Sequence, residues 1–168
     1  MITKHFPVDR IEQIFEIATP KDHYVVLIAT LDKDNSYHRS LSLYLDGVEG
    51  WEDSYTVTGF LHETKVADLL CAADVVILPF RTEVTPRNGS FLAARLQGTP
   101  ILTTSKGRVG FDQNENVHYC SPEDIVQMKD SLQLLLDRNV PKKPLDTIGW
   151  KDIARHHVDL YFKIYKDQ

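Results

Sequence analysis

Residues 71–104 read CAADVVILPFRTEVTPRNGSFLAARLQGTPILTT, and this stretch decides the fold. Val75–Leu78 is an apolar run that ends at Pro79, the mark of a buried strand. A polar loop follows. Asn88-Gly89-Ser90 then opens an apolar helix, which Gly98-Thr99-Pro100 closes before a second apolar strand, Ile101–Thr103. The unit is strand, loop, helix, strand. The first turn of such a helix carries unpaired N–H groups and the positive end of the helix dipole, so it can hold an anion. In open α/β sheets ligands sit beyond the carboxyl ends of the strands, where this loop lies. A chemical site, if the chain has one, belongs here.

The flanking sequence repeats the pattern. Ile11, Ile14, Phe15 and Ala18 recur at helical spacing and Pro20 ends that helix. Tyr24–Thr30 (YVVLIAT) is a continuous apolar run, expected to be a strand buried on both faces. Ser36–Asp46 sets Leu41, Tyr44 and Leu45 on one helical face, with Gly47 as a stop. Tyr55–Thr58 reads as a strand. Glu63–Ala73 is a helix with Val66, Leu69, Leu70 and Ala73 inward, and Cys71 is read as core. A short strand over Asn116–Tyr119 leads to Ser121-Pro122-Glu123-Asp124, where serine is expected to cap a helix running to about Arg138. Val140–Pro144 is a proline-punctuated linker, and a closing helix is expected over Trp150–Tyr165. Strands alternating with helices predict an α/β fold, a Rossmann-like doubly wound parallel sheet with helices on both faces. The chain opens on a helix where such a domain usually opens on a strand. Either a strand is missing or Met1–Thr3 is its remnant.

Composition narrows the function classes. At 168 residues, 42% hydrophobic and 26% charged, the chain fits one ordinary globular domain, 1–168. A net charge of −5 argues against broad nucleic-acid or anionic-membrane binding. No apolar run approaches the roughly 20 residues of a membrane span. Two cysteines and seven histidines show no metal-ligand spacing, so no metal and no cofactor is expected, and a reducing cytoplasm is the default location.

Several of these motifs, in order, resemble one family. Gly59-Phe60, the helix ending Leu69-Leu70-Cys71-Ala72-Ala73-Asp74, the strand Val75-Val76-Ile77-Leu78-Pro79 with Glu83, and Gly98-Thr99-Pro100 look like the C-terminal domain of a family 4 retaining glycosyltransferase of the GT-B fold. Gly149-Trp150-Lys151-Asp152-Ile153-Ala154 resembles that family's closing helix. The resemblance implies a domain that binds a nucleoside-diphosphate sugar. The acceptor-binding N-terminal half has no counterpart in these residues, so a further domain or partner subunit is implied and the chain alone is expected to be inactive. Glu83 resembles the first glutamate of the family's central signature, which contacts the donor sugar. The second glutamate, which holds the ribose, would fall at Ala93 and is absent. Arg87-Asn88-Gly89-Ser90 resembles a variant loop in which the N–H groups of Gly89, Ser90 and Phe91 cradle the diphosphate and Arg87 adds charge. Backbone of Gly59, Phe60 and Leu61 would contact the base.

Other readings stay open. Gly89 can serve only a tight turn, and Glu83 and Arg87 can be plain surface charges. The chain can be a glycosyltransferase-like partner domain without catalysis, or a phosphate- or nucleotide-binding module of another pathway. Lys106-Gly107-Arg108 with Gly110 forms a second basic loop, read first as a flexible turn. His62 opens a helix near the expected base site and is read as surface.

Overall fold

In a computed structural model, residues 8–32, 34–144 and 158 are described. The strands form two parallel groups. β1 (Val25–Leu27) pairs with β2 (Tyr55–Val57). β3 (Val76–Leu78), β4 (Ile101–Thr104) and β6 (Val117–Cys120) are parallel in the order β3-β4-β6, and β5 (Gly110–Asp112) closes that sheet antiparallel to β6. The helices between them are α1 (Val8–Ile17), α2 (Ser36–Gly47), α3 (Glu63–Ala72), α4 (Gly89–Gln97) and α5 (Ile125–Asp137). Helices α1, α2 and α5 pack on one face, α3 and α4 on the other. This is the expected doubly wound, Rossmann-like arrangement.

The sheet is not continuous, which corrects the single-sheet expectation. β1 and β3 share no ladder hydrogen bonds. The run Tyr24–Thr30 accordingly yields a strand of only three residues, and Val26 is 40% exposed rather than buried on both faces. The cause is local: among the described residues one side of β1 has no paired strand.

β4 is the centre of the larger sheet, and all four of its residues are buried. Its threonines satisfy their hydroxyls on the neighbouring strand. Thr103 Oγ1 donates to the Leu78 carbonyl at 2.7 Å, and Thr104 Oγ1 to that of Phe80 at 2.7 Å. Burial of a polar group is tolerable only with such a partner. On the other face, Phe15 packs edge-on against Trp51 at 4.9 Å between ring centroids, fixing α1 over the β1–β2 pair.

Some local readings change. Cys71 is exposed, because α3 turns Leu70 inward and the next residue lies about 100° further round. The cap of α5 is Asp124, not Ser121. Its carboxylate accepts the Gln127 N–H at 2.8 Å, while the Gln127 side chain accepts the Ser121 N–H at 2.8 Å. Strand β5 was not expected at all. Of the closing helix only Val158 is described, helical and exposed, and Met1–Thr3 lies outside the described residues.

His118 is the one described histidine whose ionisation burial perturbs. It is 7% exposed, its Nε2 lies 3.0 Å from the Ser131 hydroxyl, and its Nδ1 has no partner among the described residues. Burial, with Arg138 adding repulsion, pushes its pKa below the ordinary value. The unfolded chain then binds a proton near pH 6.5 that the folded chain refuses. Stability is expected to fall as pH drops through that value, by at most about 1.4 kcal/mol per pH unit, and to level out below the folded pKa. Urea melts between pH 5 and 8 check this. The slope should disappear in His118→Gln.

Candidate functional site

The parallel strands carry their connecting loops to one edge. α3 returns the chain from the carboxyl end of β2 to the start of β3, so the loops after β1, β2, β3 and β4 all emerge together. Gly59, Phe60 and Leu61 follow β2. Glu83, Arg87, Asn88, Gly89 and Ser90 follow β3. Lys106 and Arg108 follow β4.

The loop after β3 is tied down at three points. Pro79 is fully buried at the strand end. The Val84 N–H donates to the Thr104 carbonyl at 2.9 Å, which holds mid-loop against β4. Thr85-Pro86-Arg87-Asn88 closes a turn. Asn88 Oδ1 accepts from the Thr85 N–H at 2.6 Å and from its hydroxyl at 2.9 Å, and the Asn88 N–H returns to the Thr85 carbonyl at 3.0 Å. Proline at the second position and asparagine at the fourth suit such a turn. The signal for this turn in the sequence is the pair Thr85-Pro86.

This turn has a chemical consequence. Asn88 is the N-cap of α4, yet its side chain points back to Thr85 and caps no helix N–H. The N–H groups of Gly89, Ser90 and Phe91 therefore meet no acceptor among the described residues. The Phe91 side chain is core, 4% exposed against Ala94 and Ile101, so only its backbone can face the edge. Gly89 does not have a positive φ, and a side chain placed on it meets nothing within 4 Å. The tight-turn explanation for that glycine fails. What it provides is open space in front of the helix start.

Around this point Glu83 and Arg87 are exposed. Phe60 is 85% exposed beside Gly59, whose φ of 71° lets the chain bend sharply after β2. His62 caps α3 through Nδ1, with a long 3.5 Å contact to the Thr64 N–H. Ala93 is partly buried against the core under α4.

The second basic loop is committed elsewhere. The Ser105 hydroxyl accepts the Arg108 N–H at 3.1 Å, and the guanidinium pairs with Asp112 at 2.7 Å and Glu115 at 2.8 Å. It also lies 3.9 Å over the Tyr119 ring. Burial raises the Tyr119 pKa, and the hydrogen bond it gives to Glu115 raises it further. Burial alone would raise Glu115 too, but Tyr119 and Arg108 outweigh it and hold the carboxyl below its usual range. Arg108 is thus a brace for the β5–β6 hairpin rather than a free cation. Among the described residues no group of three His, Cys, Asp or Glu side chains could hold a metal ion. No helix of the described residues is long and apolar enough to cross a membrane.

The arrangement can hold an anion at the start of α4, with a cation at Arg87 and an exposed aromatic at Phe60 on the same edge. Comparisons with known proteins agree with the fold. A sucrose-phosphate synthase from Thermosynechococcus elongatus superposes with a TM-score of 0.61 at 15% identity, over 96% of this chain and 51% of that one. The chain thus spans about half the length of that protein. No curated protein sequence matches. The family described as glycosyl transferases group 1 matches residues 8–138, most of the chain, and the protein belongs to that family.

Proposed function

We propose that this chain is the donor-binding half of a glycosyltransferase, holding a nucleoside-diphosphate sugar at the carboxyl edge of its sheet. The observation that carries this is the start of α4. Three adjacent N–H groups, of Gly89, Ser90 and Phe91, have no acceptor among the described residues, and a side chain on Gly89 would meet nothing within 4 Å. In this reading they take the diphosphate and Arg87 adds charge. Gly59, Phe60 and Leu61 would face the base, and Glu83 the sugar hydroxyls. Asn88 serves by keeping its own side chain out of the anion's place. As the sugar leaves, N–H dipoles and the guanidinium would stabilise the departing diphosphate, with retention at the anomeric carbon. The acceptor is bound by a further domain or subunit. Two free cysteines, one exposed and one buried, suit a reducing compartment such as the cytoplasm.

One observation favours a second reading, a non-catalytic partner domain of the same family. Ala93, partly buried, offers no carboxylate where the family's second glutamate would stand.

Thermal unfolding with UDP, GDP, ADP and their sugars separates the two. A ligand at 100 times its dissociation constant adds about 2.7 kcal/mol of stability. One nucleotide class should raise the melting temperature, and Arg87→Ala should weaken that ligand's affinity about tenfold, a loss of roughly 1.4 kcal/mol. No shift with any nucleotide would sink the donor reading and leave the partner domain.

A further inference from the structure

Asn88 has the backbone of a helix cap and the side chain of a turn. Its φ of −73° and ψ of 109° are extended, as an N-cap residue requires, and its carbonyl accepts the Leu92 N–H at 3.0 Å as the first bond of α4. Asparagine is among the strongest caps, because its side-chain oxygen can accept the N–H two or three residues on, here Ser90 or Phe91. It does not do so. The oxygen instead takes two donors from Thr85, the N–H at 2.6 Å and the hydroxyl at 2.9 Å. Rotation of the side chain separates the two positions, since the backbone already has the cap conformation.

Thr85 is itself held in place. The Val84 N–H before it donates to the Thr104 carbonyl at 2.9 Å, and Pro86 after it has a fixed φ. The Asn88 N–H closes the turn on the Thr85 carbonyl at 3.0 Å. Two donors at Thr85 therefore compete with the helix start for one carboxamide oxygen. Removing the hydroxyl leaves a single donor at Thr85, and the positive end of the helix dipole then favours the cap.

We propose that the Thr85 hydroxyl is a positioning group that keeps the Asn88 carboxamide off the start of α4, and that this carboxamide turns in and occludes the helix start when the hydroxyl is lost. Turned in, it would accept the Phe91 N–H and stand where the diphosphate is placed. A ligand then binds only those molecules whose carboxamide is turned out, and its apparent affinity falls by that fraction. What fills the vacated place rests on the donor-binding reading above. Where the carboxamide goes does not.

Amide exchange in the full chain without ligand reads the position of the carboxamide. In the parent the Phe91 amide should exchange fast. Thr85→Val should slow it about fivefold or more, Thr85→Ser should leave it fast, and Thr85→Val combined with Asn88→Ala should return it to the parent rate. The Ile101 amide, which donates to the Asn116 carbonyl inside the sheet, should stay slow in every variant and so report an intact fold. Calorimetric titration with whichever of UDP, GDP and ADP stabilises the parent reads the consequence. Affinity should fall about tenfold in Thr85→Val and return close to the parent value in the double variant. Unchanged Phe91 exchange in Thr85→Val overturns the proposal. So does slow exchange that survives Asn88→Ala, or a nucleotide affinity that the double variant fails to restore. If no nucleotide binds the parent, the donor reading falls, while the exchange rates still decide whether Thr85 holds the carboxamide out.

Discussion

Gly89→Asp is expected to make the protein more stable and to weaken sharply the nucleotide binding proposed for it. The two effects have opposite signs because one feature causes both. Gly89 is the first residue of α4, its φ is not positive, and a side chain there meets no atom within 4 Å. Glycine in a helix costs about 1 kcal/mol relative to alanine. An aspartate in the first turn adds about 0.3–1 kcal/mol by complementing the helix dipole. The same carboxylate occupies the place proposed for the diphosphate and repels it. Affinity for the nucleotide class that stabilises the parent protein should fall at least a hundredfold, about 2.7 kcal/mol. Urea melts without ligand and calorimetric titration with ligand read the two effects separately. Equal nucleotide affinity in parent and variant would remove the start of α4 from the site. Lower stability in the variant would mean that the open space is not there.

Gly98→Ala should be among the most destabilising single changes in the described fold. Gly98 ends α4 in the left-handed conformation, with φ 71° and ψ 7°. A non-glycine residue there costs about 1–2 kcal/mol from its own backbone. The segment leading out of α5 then passes directly over it. The Lys143 N–H donates to the Gly98 carbonyl at 2.8 Å, and Asn116 Nδ2 donates to that carbonyl at 2.9 Å and to the Pro141 carbonyl at 3.1 Å. A Cβ on Gly98 would run into the backbone of Lys143 and Pro144, which has no flexible side-chain end to give way. Together these should lower the unfolding free energy by roughly 2–4 kcal/mol. Gly47→Ala is the control, since a Cβ there meets nothing within 4 Å. A chemical melt that puts both variants within 0.5 kcal/mol of the parent, roughly the range of an ordinary surface change, would overturn the reading.

What could be read from residue order alone follows from how locally each feature is encoded. The strand–helix alternation was legible because each element carries its own period and its own stop, as in the run Val75–Leu78 with Pro79 and the helix that Gly98 ends. The open helix start at Gly89 was legible for the same reason. Three things were not. The split between β1 and β3 depends on which strands lie side by side, and an apolar run looks alike whether its second edge is paired or bare. The β5 strand is three residues whose pairing comes from β6 and from the Arg108 ion pairs, so Gly107 and Gly110 read as a loop. The cap of α5 went to Asp124 because its carboxylate reaches the Gln127 N–H, a distinction that Ser-Pro-Glu-Asp does not display.

The short antiparallel β5 also bears on how the protein behaves in concentrated solution. An outer strand with free peptide groups is a template for another molecule's strand, and a long flat one invites fibrous association. Here the outer strand beside β6 is only three residues, bent at its start by Gly110 with φ 94°, and ends in Asp112, which Arg108 pairs. A growing stack of strands would find little register to copy there. Solubility should therefore tolerate changes on β5 that keep its charges, and should fall on loss of Arg108, which holds Asp112 and Glu115 beside that edge.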